Sequence, residues 1–256
     1  MSIFVIKIIA CVMMVVDHIK YAIPSLGELK IVIPDIGDFY YFTYLGRIAF
    51  PLFAFCLVEG YVHTSDVKNY AKRLLIFGLI SQPFFMLFRS THNGGKILDP
   101  MLNIMFTLLL GLVAITSYDK VKNKWLGFLG TVIAIAVGEL INVDYGWYGV
   151  ATCFVIYLFR KKNVRLVISF SALVIVYYSI RLIQSMHENN IYGFSNFIYN
   201  YYKVVLWSTV FSILPITVTF LYNGEKGKSS KFIKYFYYWF YPAQCLIVYI
   251  LAQVLK

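Results

Sequence analysis

Four residues early in the chain carry proton and charge chemistry in stretches otherwise built of apolar side chains: Asp17, His18, Arg47 and Glu59. Arg47 and Glu59 share one aromatic stretch, Leu45 to Gly60, reading LGRIAFPLFAFCLVEG. Either charge is costly in hydrocarbon unless it faces protein or a water-filled cavity, so each marks a site or a lock between helices. Twelve positions separate them, roughly 18 Å along a helix, too far for them to pair with each other. Glu59 is expected to meet Lys72 or Arg73. Asp17 lies one turn from the end of the first apolar run, and Arg47 lies about 10 Å into the second, which enters from the same side. That matching depth makes Asp17 the natural partner of Arg47. His18 points about 100° away from Asp17 on a helix, so its role differs from that of the carboxylate. Two readings follow. Asp17 and Arg47 lock two helices as an ion pair, or acid, imidazole and guanidinium form one catalytic group.

Other polar residues interrupt the apolar runs. Pro51 removes the backbone donor that would bond to Arg47, which kinks the helix or frees a carbonyl for a ligand. Ser81-Gln82-Pro83 repeats that combination, and Asn103 and Thr107 share a helix face at i and i+4. These groups line a passage or hydrogen-bond between helices. Glu139, Asn142, Asp144 and Tyr145 gather at the end of the fifth run; Glu59, Glu139 and Asp144 are the candidate substrate-binding residues. His63, His92 and His187 lack metal-ligand spacing, and no metal is expected. The four cysteines fall within apolar runs without paired spacing and read as small buried hydrophobes. No phosphate loop, dinucleotide fingerprint or nucleophile elbow occurs.

The elements that must hold these residues are helices in a lipid bilayer. The chain has 256 residues, 60% hydrophobic and 14% charged, with mean hydropathy +0.72. This composition predicts an all-α, polytopic transmembrane bundle forming one domain over 1–256. Apolar runs predict about nine spans, near 3–22, 40–61, 71–88, 102–118, 125–142, 146–159, 166–183, 203–222 and 232–254. The first is read as an uncleaved span, because Asp17-His18 stands where a small-residue cleavage site is needed. The connections 62–73, 119–124, 160–165 and 223–234 hold 14 lysines and arginines, against 7 on the other side. The positive-inside rule then places the N-terminus inside. The same clustering explains the net charge of +11 as topology, without a nucleic-acid partner. Two outer segments are longer, 23–39 with Pro24, Gly27, Pro34 and Gly37, and 184–202 with Asn189 and Asn190; they read as a lid or an acceptor platform.

Several blocks resemble one family in order along the chain. They are Ile8-Ile9-Ala10 through Met13 to Asp17-His18-Ile19, GRIAFPLFAFCLVEG with Thr64 after it, Arg73-Leu74-Leu75, and ISQPFF at 80–85. LNIMFTLLLGL at 102–112, DYGWYGV at 144–150, Asn223-Gly224 and Tyr241-Pro242 continue the match. The chain resembles the TraX family of membrane proteins, named for a conjugation protein that acetylates the N-terminus of pilin. The family pattern carries a histidine two residues after Tyr-Pro; here that residue is Gln244. The resemblance implies acetyl transfer from cytoplasmic acetyl-CoA to an amine or hydroxyl acceptor, a small molecule or a protein N-terminus, across a bacterial cytoplasmic membrane. His18 is then the general base or the nucleophile of an acetyl-histidine intermediate, Asp17 holds the acceptor or anchors Arg47, and Arg47 stabilises the oxyanion. Lys72, Arg73, Lys120 or Lys122 would meet the donor's phosphates, with Gln82 and Asn103 also in its binding set. A transporter and a non-catalytic assembly factor are the other classes; no internal repeat supports the first.

Overall fold

The computed structural model describes residues 1–33, 37–161 and 163–255, so Pro34 of the first long outer segment and Lys162 and Lys256 of the charge pattern lie outside the described residues. Helix α1 (Ile3–Ile19) buries Ile3, Ile6, Ala10 and Met14, which recur every three or four residues and form one stripe. The opposite side leaves Val5, Ile8 and Val12 exposed, as a surface facing lipid does. After α2 (Pro24–Glu28) the chain makes a small antiparallel hairpin of β1 (Lys30–Ile33) and β2 (Gly37–Tyr40), with Ile31 opposite Phe39. An all-α reading missed this hairpin, whose β-branched run Ile31-Val32-Ile33 fits a pleat. Phe39 docks it onto the bundle, with its ring centroid 5.2 Å from each of Trp207 and Phe211.

Helices α3 (Tyr41–Gly46) and α4 (Ala49–Val62) continue one another with an interruption at Arg47 and Ile48. There the backbone tightens to bonds three residues back, Arg47 N–H to Tyr44 and Ile48 N–H to Leu45. Pro51 sits in the first turn of α4, where its missing donor costs nothing, so the interruption falls just before it. Helix α4 is apolar all round and buried all round, packed against α1, the later helix pair α6 (Ile104–Lys120) and α8 (Gly146–Phe159), and α11 (Leu206–Thr219). It is the axis of the molecule.

Around it stand α5 (Val67–Ser90), α7 (Lys124–Leu140), α9 (Asn163–Glu188), α10 (Phe194–Asn200) and α12 (Lys231–Val254), with a π-helical turn at Tyr201–Val205 leading into α11. Side-chain caps start several of them: Asp66 for α5, Asn103 for α6, Asn123 for α7 and Ser230 for α12. The chain is 76% helical. Among the described residues three segments are long and apolar enough to cross a membrane, Tyr41–Val62, Val67–Ser90 and Asn163–Glu188. Helices Gly146–Phe159 and Leu206–Thr219 are apolar but shorter. Of the expected nine or so spans, those three are long and apolar enough to cross by themselves. Caps and loops cut the remaining apolar runs to 17 residues in α1, α6 and α7, and polar residues dilute α12. The outer face of α7 still exposes Leu126, Phe128, Leu129, Val132 and Ile133, an apolar surface suited to lipid.

Candidate functional site

His18 occupies the last turn of α1, and α12 crosses beside it. The Gln244 amide, only 6% exposed, places Nε2 2.6 Å from Nδ1 of His18. The imidazole lies over Phe88 of α5 at 4.4 Å between centroids, and beyond Phe88 the loop residue His92 stacks on Tyr21 at 4.1 Å. Burial, then the positive Arg89, pushes the His92 imidazole down to about 4.

Asp17 approaches α3 so closely that a Cβ on Gly46 would lie 2.4 Å from its Cβ and Oδ1, so only glycine fits at position 46. The expected Asp17–Arg47 ion pair is corrected: Asp17 accepts from Lys20 at 2.7 Å, one turn along its own helix, and Lys20 also reaches Thr43 at 3.4 Å. Arg47 has no Asp or Glu oxygen within 4.0 Å among the described residues, and its Nε is buried without a hydrogen-bond partner. Its guanidinium lies 6.0 Å from the Tyr178 ring, with Asp17, Tyr145 and Tyr177 as further electrostatic neighbours. Tyr145, in the left-handed conformation at φ 64°, stacks on Phe50 at 4.1 Å and starts α8. Asp144, just before it, shares the field of Arg89, Asp17 and Arg47, and burial pushes its carboxyl up to about 6. Thus Asp17, His18, Arg47 and Asp144 gather at one end of the bundle.

The remaining sequence candidates fall elsewhere. Glu59 does not meet Lys72 or Arg73: Arg160, at the end of α8, donates to it at 3.0 Å, and His63 lies 3.6 Å away. Gln82 and Asn103 face each other at 2.8 Å; Gln82 also donates to the Met101 carbonyl, and Asn103 donates to Gly78 and caps α6. Their polar groups are spent on joining α5 to α6. Glu139 accepts the Trp147 N–H at 3.0 Å in the first turn of α8. Lys72, Lys120 and Lys122 are exposed, and Lys120 borders a shallow 440 Å³ pocket beside Asp119 and Arg160.

At the other end of α1 and α4 a cavity of 680 Å³ opens. Arg73 and Glu59 line it as sequence candidates, but Lys7, Lys226, Lys228, Lys231 and Lys234 were missed. The four lysines after position 223 read in the sequence only as a topology signal, and Lys7 was passed over within the first apolar run. Arg73 carries a buried Nε without a partner and lies 5.5 Å from the Tyr70 ring. Cys56, Leu57, Met105 and Leu108 form an apolar wall deeper in. A basic mouth over an apolar shaft suits a ligand with an anionic head and a less polar arm. Among the described residues no cluster of three metal-ligating side chains occurs.

A family model described as TraX protein matches residues 2–252. The chain belongs to the TraX family. Over 118 residues it is 32% identical to the probable fimbrial assembly protein FimC, serogroup H1, of Dichelobacter nodosus. That match covers 44% of this chain and 45% of the relative, so the chain spans about half the length of the curated relative it matches. No solved structure matches. Family and apolar helices together make the chain a membrane protein of the TraX family.

Proposed function

We propose that this TraX-family chain is an integral membrane acetyltransferase that takes acetyl-CoA from the cytoplasm and acylates an amine or hydroxyl at the outer side of a bacterial cytoplasmic membrane. One observation carries the reading: the same two helices that line the basic cavity carry the polar cluster at their other ends. Lys7 borders the cavity, and His18 follows on the same helix roughly 16 Å further along. Glu59 and Cys56 border it on α4, with Arg47 at the far end of that stretch. The N-terminus lies inside and the bundle is multi-pass in this arrangement, as the lysine-rich connections favour.

The unpartnered Nε of Arg73 and the lysines of 226–234 fit the phosphates of such a donor. The acceptor nitrogen or oxygen attacks the thioester carbonyl carbon while His18 takes its proton. Arg47 stabilises the resulting oxyanion. As the C–S bond breaks, the thiolate leaves and recovers that proton from His18. Asp17 and Asp144 attract a cationic acceptor to the same end. The relative's name makes a pilus protein's N-terminus one acceptor to try, beside small amines.

The test uses purified protein in detergent with isotopically labelled acetyl-CoA, followed for binding and for transfer to amine- and hydroxyl-bearing acceptors. Binding weakened by Arg73→Ala, with transfer abolished by His18→Ala, is expected. Absence of binding at millimolar donor would overturn the reading. A non-catalytic role in fimbrial assembly is the second reading, favoured by the relative's name, and it predicts a protein that binds no donor yet restores assembly as His18→Ala.

A further inference from the structure

Resting on the acyl-transfer reading, we propose that Gln244 is a positioning residue that selects the tautomer of His18. The two residues are 226 positions apart in the chain, and among the described residues no other side chain hydrogen-bonds to the imidazole. Gln244 is buried, and its amide has one end on Nδ1 of His18 at 2.6 Å and the other, Oε1, without a partner. Phe88 covers the ring, so this amide is what fixes the imidazole's rotation.

An amide is two-faced, and the face it presents decides where the proton sits. Its NH2 donates to Nδ1 only when Nδ1 is bare, which puts the proton on Nε2 and makes His18 a donor. Its carbonyl oxygen accepts from Nδ1–H, which leaves the Nε2 lone pair free to act as base. A half-turn about the terminal torsion exchanges the two ends and gives the unpartnered Oε1 the Nδ1–H as its donor. The same orientation suits the imidazolium formed after proton abstraction, because both ring nitrogens then donate. Gln244 thus serves His18 through Oε1 in both protonation states of the transfer, the neutral base and the imidazolium, while its Nε2 face meets the other neutral tautomer.

The replacements separate the faces. Gln244→Glu offers acceptors alone and holds Nδ1–H; Gln244→Leu keeps the bulk and offers neither. The Glu variant is expected to keep turnover within about threefold, while the Leu variant loses of order 10²-fold in kcat with the donor KM unchanged, the low end of what a positioned base contributes. Equal losses in both, or a Leu variant at wild-type rate, would overturn the proposal. A second measurement is independent of turnover. Nitrogen-15 spectra of histidine-labelled protein, with the His18 signals assigned by His18→Gln, should show one dominant tautomer in the wild type and a mixture in Gln244→Leu. Identical tautomer populations in both would sink the positioning role even in a preparation that transfers acetyl; absence of transfer with the expected spectra would instead sink only the acyl-transfer reading.

Discussion

Arg47 and Glu59 lie on one continuous stretch of chain, both charged and both surrounded by apolar side chains, yet the fold treats them differently. Glu59 is answered: Arg160 donates to it at 3.0 Å, His63 stands beside it, and the carboxylate joins α4 to the end of α8. Arg47 is left with tyrosine faces, a carboxylate already held by Lys20, and a buried Nε without a partner. A satisfied buried charge stabilises a helix junction, whereas an unsatisfied one costs stability in every resting molecule. The second is tolerated where a ligand or a transition state supplies the missing partner.

The sharpest way to break that contrast is Arg47→Lys. A point charge keeps the sign and loses the planar fork, so turnover should fall by about 10²- to 10³-fold, the range for removing one oxyanion donor, with little change in thermal stability. A variant that melts earlier but turns over normally would return Arg47 to the role of helix lock. Glu59→Gln should do the reverse. It leaves Arg160 uncompensated and costs about 3 kcal/mol of stability, at the low end for breaking a buried pair because Arg160 is 19% exposed. Activity per folded molecule should stay near wild type, and a cycle with Arg160→Gln should show the two losses to be non-additive. Additive losses would mean that the pair does not join the helices.

The cavity below Glu59 gives a gentler comparison. Lys226→Gln with Lys228→Gln should raise the donor KM about tenfold at low salt and much less at high salt, since partly exposed charges are screened. A kcat effect without a KM effect would place these lysines outside donor binding.

The polar residues at the two ends were legible in the sequence because isolated charges inside apolar runs are costly whatever the fold. Matching depth placed Asp17 near Arg47, and the helix interruption was foreshadowed by Pro51 four residues on. Partners were not legible. Glu59 meets a residue 101 positions away and His18 one 226 positions away. Helical periodicity tells which side chains share a face, but which helices become neighbours depends on packing over the whole chain. Pairing by matching depth failed at Asp17, where the lysine one turn away outcompeted the arginine between α3 and α4. The basic cavity was hidden because a lysine cluster that orients a protein in a membrane and one that lines a pocket look the same until the loop is folded back onto Lys7 and Arg73. Gln82 and Asn103 look available in the sequence, and the structure consumes both in one junction.

The smallest expected effect is that of acid at the end of the bundle that holds His18. His92 stands in the stack that carries His18, and its imidazole is lowered from 6.5 to about 4, first by burial and then by Arg89. The unfolded chain therefore binds a proton there that the folded chain refuses, so this contribution is complete above about 6.5 and is lost as pH falls toward 4. The ring is partly exposed on its loop, and screening limits the effect to about 1 kcal/mol or less. Thermal midpoints of the detergent-solubilised protein should fall between pH 7 and about pH 4, across the interval from an ordinary imidazole at 6.5 to its buried form at about 4, and His92→Phe, which keeps the stack on Tyr21, should flatten that slope. An unchanged slope would exclude His92 as the source of the acid sensitivity, and Asp144 could not replace it, because its raised carboxyl binds a proton more readily in the folded chain and so favours folding as pH falls.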